Sequence, residues 1–118
     1  MKLRDEPIPA WAVTPEKVEA AVTRLIEAAR PRKVFLFGSH VRGLPHQDSD
    51  LDILVVTDDS VTESRRESVR LRRVLRGILM PMDIVCVRES FFNAHCDTPG
   101  LIYQEVIERG ELVYDAAT

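Results

Sequence analysis

At 118 residues, the chain can bury one hydrophobic core and is too short for two. Its 45% hydrophobic and 30% charged residues are ordinary for a soluble globular protein, and no run approaches the ~20 apolar residues of a membrane span. A net charge of −3 argues against generic nucleic-acid binding, two cysteines without CxxC spacing argue against a disulfide or zinc framework, and the N-terminus has no apolar signal core, which together read as a cytoplasmic protein.

Residues 1–13 carry Pro7 and Pro9 and no helical period. They read as an extended arm with Trp11 tucked onto the body, leaving residues 14–118 as a single domain. A first helix follows: Thr14 can cap it, Pro15 suits its first position, and Val18, Ala21, Val22, Leu25, Ile26 and Ala29 recur on one face. Pro31 ends it. Two continuous apolar runs, VFLF from about Lys33 and ILVV from about Asp52, have the character of strands buried on both faces.

The connection between these strands is built for chemistry. Gly38 lets the backbone turn sharply and approach a ligand, and Ser39 adds a hydroxyl where a short helix can begin, so together they form a phosphate seat. Arg42, three residues on and followed by Gly43, would project its guanidinium over the same side of a helical turn. Asp50 and Asp52 have strand periodicity and put two carboxylates on one face, away from Leu51 and Ile53. Two adjacent carboxylates repel unless a cation neutralises them, and hard oxygen ligands of this kind suit Mg²⁺ bridging to substrate phosphates.

Asp58 and Asp59, beyond the second strand, read as turn or cap residues. From 61 to 79 the pattern is helical, with Leu71, Val74, Leu75 and Ile78 as the apolar stripe. Arg65, Arg66, Arg70, Arg72, Arg73 and Arg76 surround it, partly balanced by Glu63 and Glu67. That composition is a solvated face laced with ion pairs, or a contact surface for an acidic partner or RNA. A third strand, MDIVCV, starts near Met82. Its Asp83 is an acid in an apolar strand and requires a partner, because burying an unpaired charge costs several kcal/mol. The partner is an arginine, or else the strand lies beside the one bearing Asp52 and Asp83 completes a three-carboxylate cluster.

The tail holds a short helix over 91–96, then Thr98-Pro99 as cap and first turn of a second helix over 100–109. Leu101, Ile102, Val106 and Ile107 line one side of that helix, Gly110 stops it, and a last strand starts near Glu111. Tyr103 and Tyr114 read as packing residues. His40, His46 and His95 share no ligand spacing.

The combination of Gly38, Ser39, Arg42 and Gly43 with Ser49, Asp50 and Asp52, flanked by buried strands, resembles the signature of the DNA-polymerase-β-like nucleotidyltransferase superfamily, and in particular its minimal nucleotidyltransferases. The closing helix and the segment Gly-Glu-Leu-Val-Tyr look like the end of such domains. The resemblance implies an α/β fold, a mixed sheet of about four strands with helices mainly on one side, and places the third acid at Asp83. It further implies two Mg²⁺ ions held by Asp50, Asp52 and Asp83, ATP as the substrate that donates AMP, and Gly38, Ser39, Arg42 and Ser49 as phosphate-binding residues. Minimal members typically form one half of a toxin–antitoxin pair whose other half is a HEPN-domain protein, often an RNase. The expected activity is therefore transfer of AMP to a hydroxyl on that toxin. Two alternatives remain at this point: a non-catalytic antitoxin that masks the HEPN protein, and a transferase for a small acceptor such as an aminoglycoside, its pocket completed by a homodimer.

Overall fold

The structure is a computed structural model and describes residues 10–38 and 50–118. Its elements, in chain order, are α1 (Pro15–Ala29), β1 (Lys33–Phe37), β2 (Leu51–Thr57), α2 (Ser64–Val74), β3 (Met82–Arg88), α3 (Glu89–His95), α4 (Ile102–Arg109) and β4 (Glu111–Asp115). The four strands form one mixed sheet in the order β3-β2-β1-β4. β1 pairs antiparallel with both β2 and β4, whereas β2 and β3 run parallel. A parallel pair needs a crossover, and α2 supplies it.

Local chemistry sets the ends of α1. Thr14 Oγ1 accepts from Lys17 N at 3.3 Å, and Pro15 occupies the first turn. At the other end Arg30 takes a left-handed conformation, φ 45°, and its N–H bonds Ile26 O at 2.9 Å. Pro31 then prevents continuation.

Both faces of the sheet are covered. On one, Val34, Leu36, Leu51, Ile53, Val55, Ile84 and Cys86 pack with Ala21 and Leu25 of α1 and Leu71 and Leu75 from α2 and its end. On the other, Phe35, Leu54, Val56 and Val87 pack with Phe92 of α3 and Val106 of α4. The two longer helices thus share one face, and the two short ones take the other. β2 lies inside the sheet and is buried along nearly its whole length, as its unbroken apolar run requires. The outer strand β3 is tied to the helix above it, where Ser68 Oγ accepts from Cys86 N at 3.2 Å. Cys86 and Cys96 are free thiols. No helix among the described residues is long and apolar enough to cross a membrane.

Three local expectations need correction. Trp11 is half exposed and is not tucked onto the body; Ala12 is the buried residue of that turn. The second helix is shorter than 61–79. After Val74 the chain winds on in tighter turns, Arg76 N to Arg73 O and Ile78 N to Leu75 O, and Gly77 leaves helical geometry at φ 99°. Thr98 and Pro99 do not open the last helix, because Gly100 has φ 88° and the segment closes as a turn, with α4 beginning at Ile102.

Candidate active site

The sheet register brings the predicted acids together. Phe37 pairs with Asp52 across β1–β2, and Asp52 pairs with Asp83 across β2–β3. Side chains alternate along a strand, so Asp52 shares its face with Leu54 and Val56, and Asp83 shares that face with Val85 and Val87. The carboxylates therefore stand side by side where the apolar cluster on the α3 and α4 face ends, on strands ~4.8 Å apart. Asp50 immediately precedes β2 and is exposed.

Gly38 closes this end of the sheet. It follows β1 with φ 95°, and a Cβ built on it would overlap the Asp52 carboxylate. The backbone thus passes directly against the acid, an approach only glycine permits. Of the other expected phosphate-binding residues, Ser39, Arg42 and Ser49 lie outside the described residues, as do Gly43, His40 and His46.

Burial pushes the Asp52 carboxyl above the usual carboxylate range, and the neighbouring charges of Asp83 and then Asp50 push it further. Like charges gathered at one strand end are the condition that a divalent cation relieves, and three carboxylates are the hard donors that Mg²⁺ or Mn²⁺ takes. The donor chemistry fits such an ion. As the side chains stand, however, no three His, Cys, Asp or Glu among the described residues converge closely enough to hold one.

Asp83 explains why. Its Oδ1 accepts from Arg72 Nη2 at 2.7 Å and from Ile84 N at 3.1 Å. The arginine partner expected as one reading of Asp83 is therefore present, and of the other reading the register supplies the adjacency to Asp52 without a convergence of three carboxylates among the described residues. The argument from buried charge is corrected, since β3 is the outer strand and the Asp83 side chain is 59% exposed. Arg72 was visible only as one of six helix arginines. Its position near the end of a helix that must pack on the following strand was the available signal, and residue spacing gave no match to Asp83.

The remaining arginines divide by task. Arg66 and Arg70 pair with Glu63 and Glu67 at 3.5 and 2.7 Å, the i,i+3 contacts of a solvated face. Arg70 also donates to Ala28 O at the end of α1, while Arg24 of α1 donates to Val74 O and Arg76 O at the end of α2. Each helix thus satisfies carbonyls that the other leaves open. Asp58 and Asp59 are turn and cap residues: Asp58 Oδ1 accepts from Ser60 N at 2.8 Å, and Asp59 Oδ1 accepts from Ser90 N at 3.0 Å in the first turn of α3.

Comparison with known proteins bears on the family and the fold. The sequence matches the nucleotidyltransferase domain family over residues 16–112. The fold is similar to a presumed nucleotidyltransferase from Sulfolobus solfataricus, with a TM-score of 0.61 at 19% identity, covering 87% of this chain and 81% of the other. It is also similar to a chain of a toxin–antitoxin structure containing AMP-PNP, with a TM-score of 0.57 at 20% identity, covering 82% and 73% of the two chains. No curated protein matches the sequence.

Proposed function

The chain belongs to the nucleotidyltransferase domain family, and on that premise we propose that it transfers AMP from ATP to a hydroxyl on a protein partner, as the antitoxin of a HEPN-domain RNase toxin. The observation that carries the chemistry is the register pair of Asp52 and Asp83 beneath the Gly38 turn. The toxin–antitoxin relative with its ATP analogue supports the choice of nucleotide and partner class. Residues 14–118 would form the catalytic domain, with 1–13 as its arm.

The acceptor oxygen forms a bond to the α-phosphorus as the bond to the bridging oxygen breaks and pyrophosphate leaves. Asp50, Asp52 and Asp83 would hold two Mg²⁺ ions, which when bound neutralise the triphosphate and the charge that develops on the entering and leaving oxygens. Ser39, Ser49, Arg42 and the backbone at Gly38 would bind and orient the β- and γ-phosphates. Asp83 stands on the outer strand with its side chain half exposed, where a hydroxyl carried by another macromolecule can reach it. There it would accept the hydrogen bond of the acceptor hydroxyl and take up its proton as the new O–P bond forms.

The test is incubation of the purified protein with Mg²⁺, α-labelled ATP and a HEPN-domain partner, against Asp50→Ala/Asp52→Ala. AMP on the partner with wild type alone, read by intact mass, is the expected result. Inhibition of the partner that survives the double substitution, without transfer, would replace the proposal with a masking antitoxin. Neither transfer nor binding would redirect it to a small acceptor.

A further inference from the structure

Arg72 is the one cation that the described residues place on the acid cluster. Its bond to Asp83 is short, but the two side chains are 54% and 59% exposed. An ion pair this exposed contributes little to the stability of a fold. Its position is informative instead, because it occupies one oxygen of the acid that pairs in register with Asp52. It does so while no three acids converge on a common point among the described residues.

We infer that Arg72 is a resident counter-ion for the acid cluster, holding Asp83 in the cation-free protein and yielding it when a divalent cation binds. This inference rests on the reading of Asp50, Asp52 and Asp83 as a cation site. The guanidinium supplies a positive charge to Asp83 where the cation otherwise would. Its long, half-exposed side chain can swing into water when Asp83 turns toward the ion. A pair that must open before binding lowers the apparent affinity by its own free energy. Arg72 therefore sets a threshold: the cluster takes up its cation less readily than the bare acids would. Arg72 is a positioning residue and takes no part in bond making.

The experiment is titration of Mn²⁺ into the full chain, followed by electron paramagnetic resonance, for wild type, Arg72→Gln, Arg72→Lys and Asp52→Asn. Arg72→Gln is expected to bind Mn²⁺ about two- to fivefold more tightly, the equivalent of the ~0.4–1 kcal/mol of an exposed ion pair. Arg72→Lys keeps the charge and should stay near wild type. Unchanged or weaker binding by Arg72→Gln, with circular dichroism showing an intact fold, overturns the inference while leaving the cation site standing. Undiminished binding by Asp52→Asn, or no binding by any of the four chains, overturns the site itself and the inference with it.

Discussion

Gly38→Ala should expose how closely the turn after β1 is fitted to Asp52. Two penalties act at this position. Glycine holds φ 95°, and an alanine forced into left-handed backbone loses about 1–2 kcal/mol. The new methyl would also overlap the Asp52 carboxylate, while Asp52 Cβ lies 3.5 Å away at ordinary contact distance. Overlap in a packed setting costs about 1–3 kcal/mol, less whatever rotation of the carboxylate relieves. The sum, about 2–5 kcal/mol before such relief, is a large share of the ~5–15 kcal/mol that holds a domain of this size folded. The two terms separate in a double-mutant cycle, because Asp52→Ala removes the colliding oxygen and leaves the backbone strain. Urea denaturation in chelator should show Gly38→Ala costing at least ~1 kcal/mol less in the Asp52→Ala background than in wild type. An equal penalty in both backgrounds would refute the close approach of Gly38 to Asp52, and a total penalty under ~0.5 kcal/mol would refute the strain as well.

The raised Asp52 pKa gives a pH-dependent prediction with a defined sign. The folded state holds this proton more tightly than the unfolded chain, so the penalty is absent well below the ordinary value of 3.8 and grows as pH rises through the elevated one. In chelator, Asp52→Asn should match wild type in thermal stability at low pH and exceed it near neutrality; a pH-independent difference would refute the linkage. Gly110→Ala tests a different use of glycine. Gly110 has φ −84°, suited to any residue, but a Cβ there would stand 2.5 Å from Val106 O and 2.9 Å from Leu36 O. Both are fixed backbone atoms, so a loss of about 1–3 kcal/mol is expected on urea denaturation, and a neutral substitution would show that α4 can shift off β1.

Much of the architecture was legible because burial and chemistry left separate marks in the sequence. The runs VFLF and ILVV are too uniformly apolar to be half-solvated, and both became interior strands covered by helices on each face. Thr14 and Pro15 fixed the start of α1 through capping, a local interaction that needs no tertiary context. Elements fixed by tertiary contacts were less legible. The arginines of α2 look alike in sequence, and only packing on β3 distinguishes Arg72, which reaches Asp83, from Arg66, which pairs within its own helix. Thr98-Pro99 had the chemistry of a helix start, but the left-handed Gly100 behind it turns the chain first. Asp83 looked buried because its neighbours in sequence are apolar, whereas its exposure follows from β3 lying at the edge of the sheet, a matter of strand order.

Strand direction is what turns two distant acids into a site. Asp52 and Asp83 each stand second in their strands, and in a parallel pair second residues meet. Had β3 returned as a hairpin on β2, Asp52 would lie toward the far end of β3, near residues 87 and 88, with no carboxylate opposite. The parallel arrangement requires a crossover, and the crossover is α2, so the topology that aligns the acids also brings an arginine-bearing helix over the strand that carries one of them. Asp83 and Arg72 therefore meet for the same reason that Asp83 and Asp52 do. The outer position of β3 leaves the Asp83 side chain exposed, while interior β2 holds Asp52 half-buried beneath Gly38. An exposed acid on the outer strand beside a sheltered acid beneath the Gly38 turn is the division of environment that the proposed transfer between two bound substrates would use.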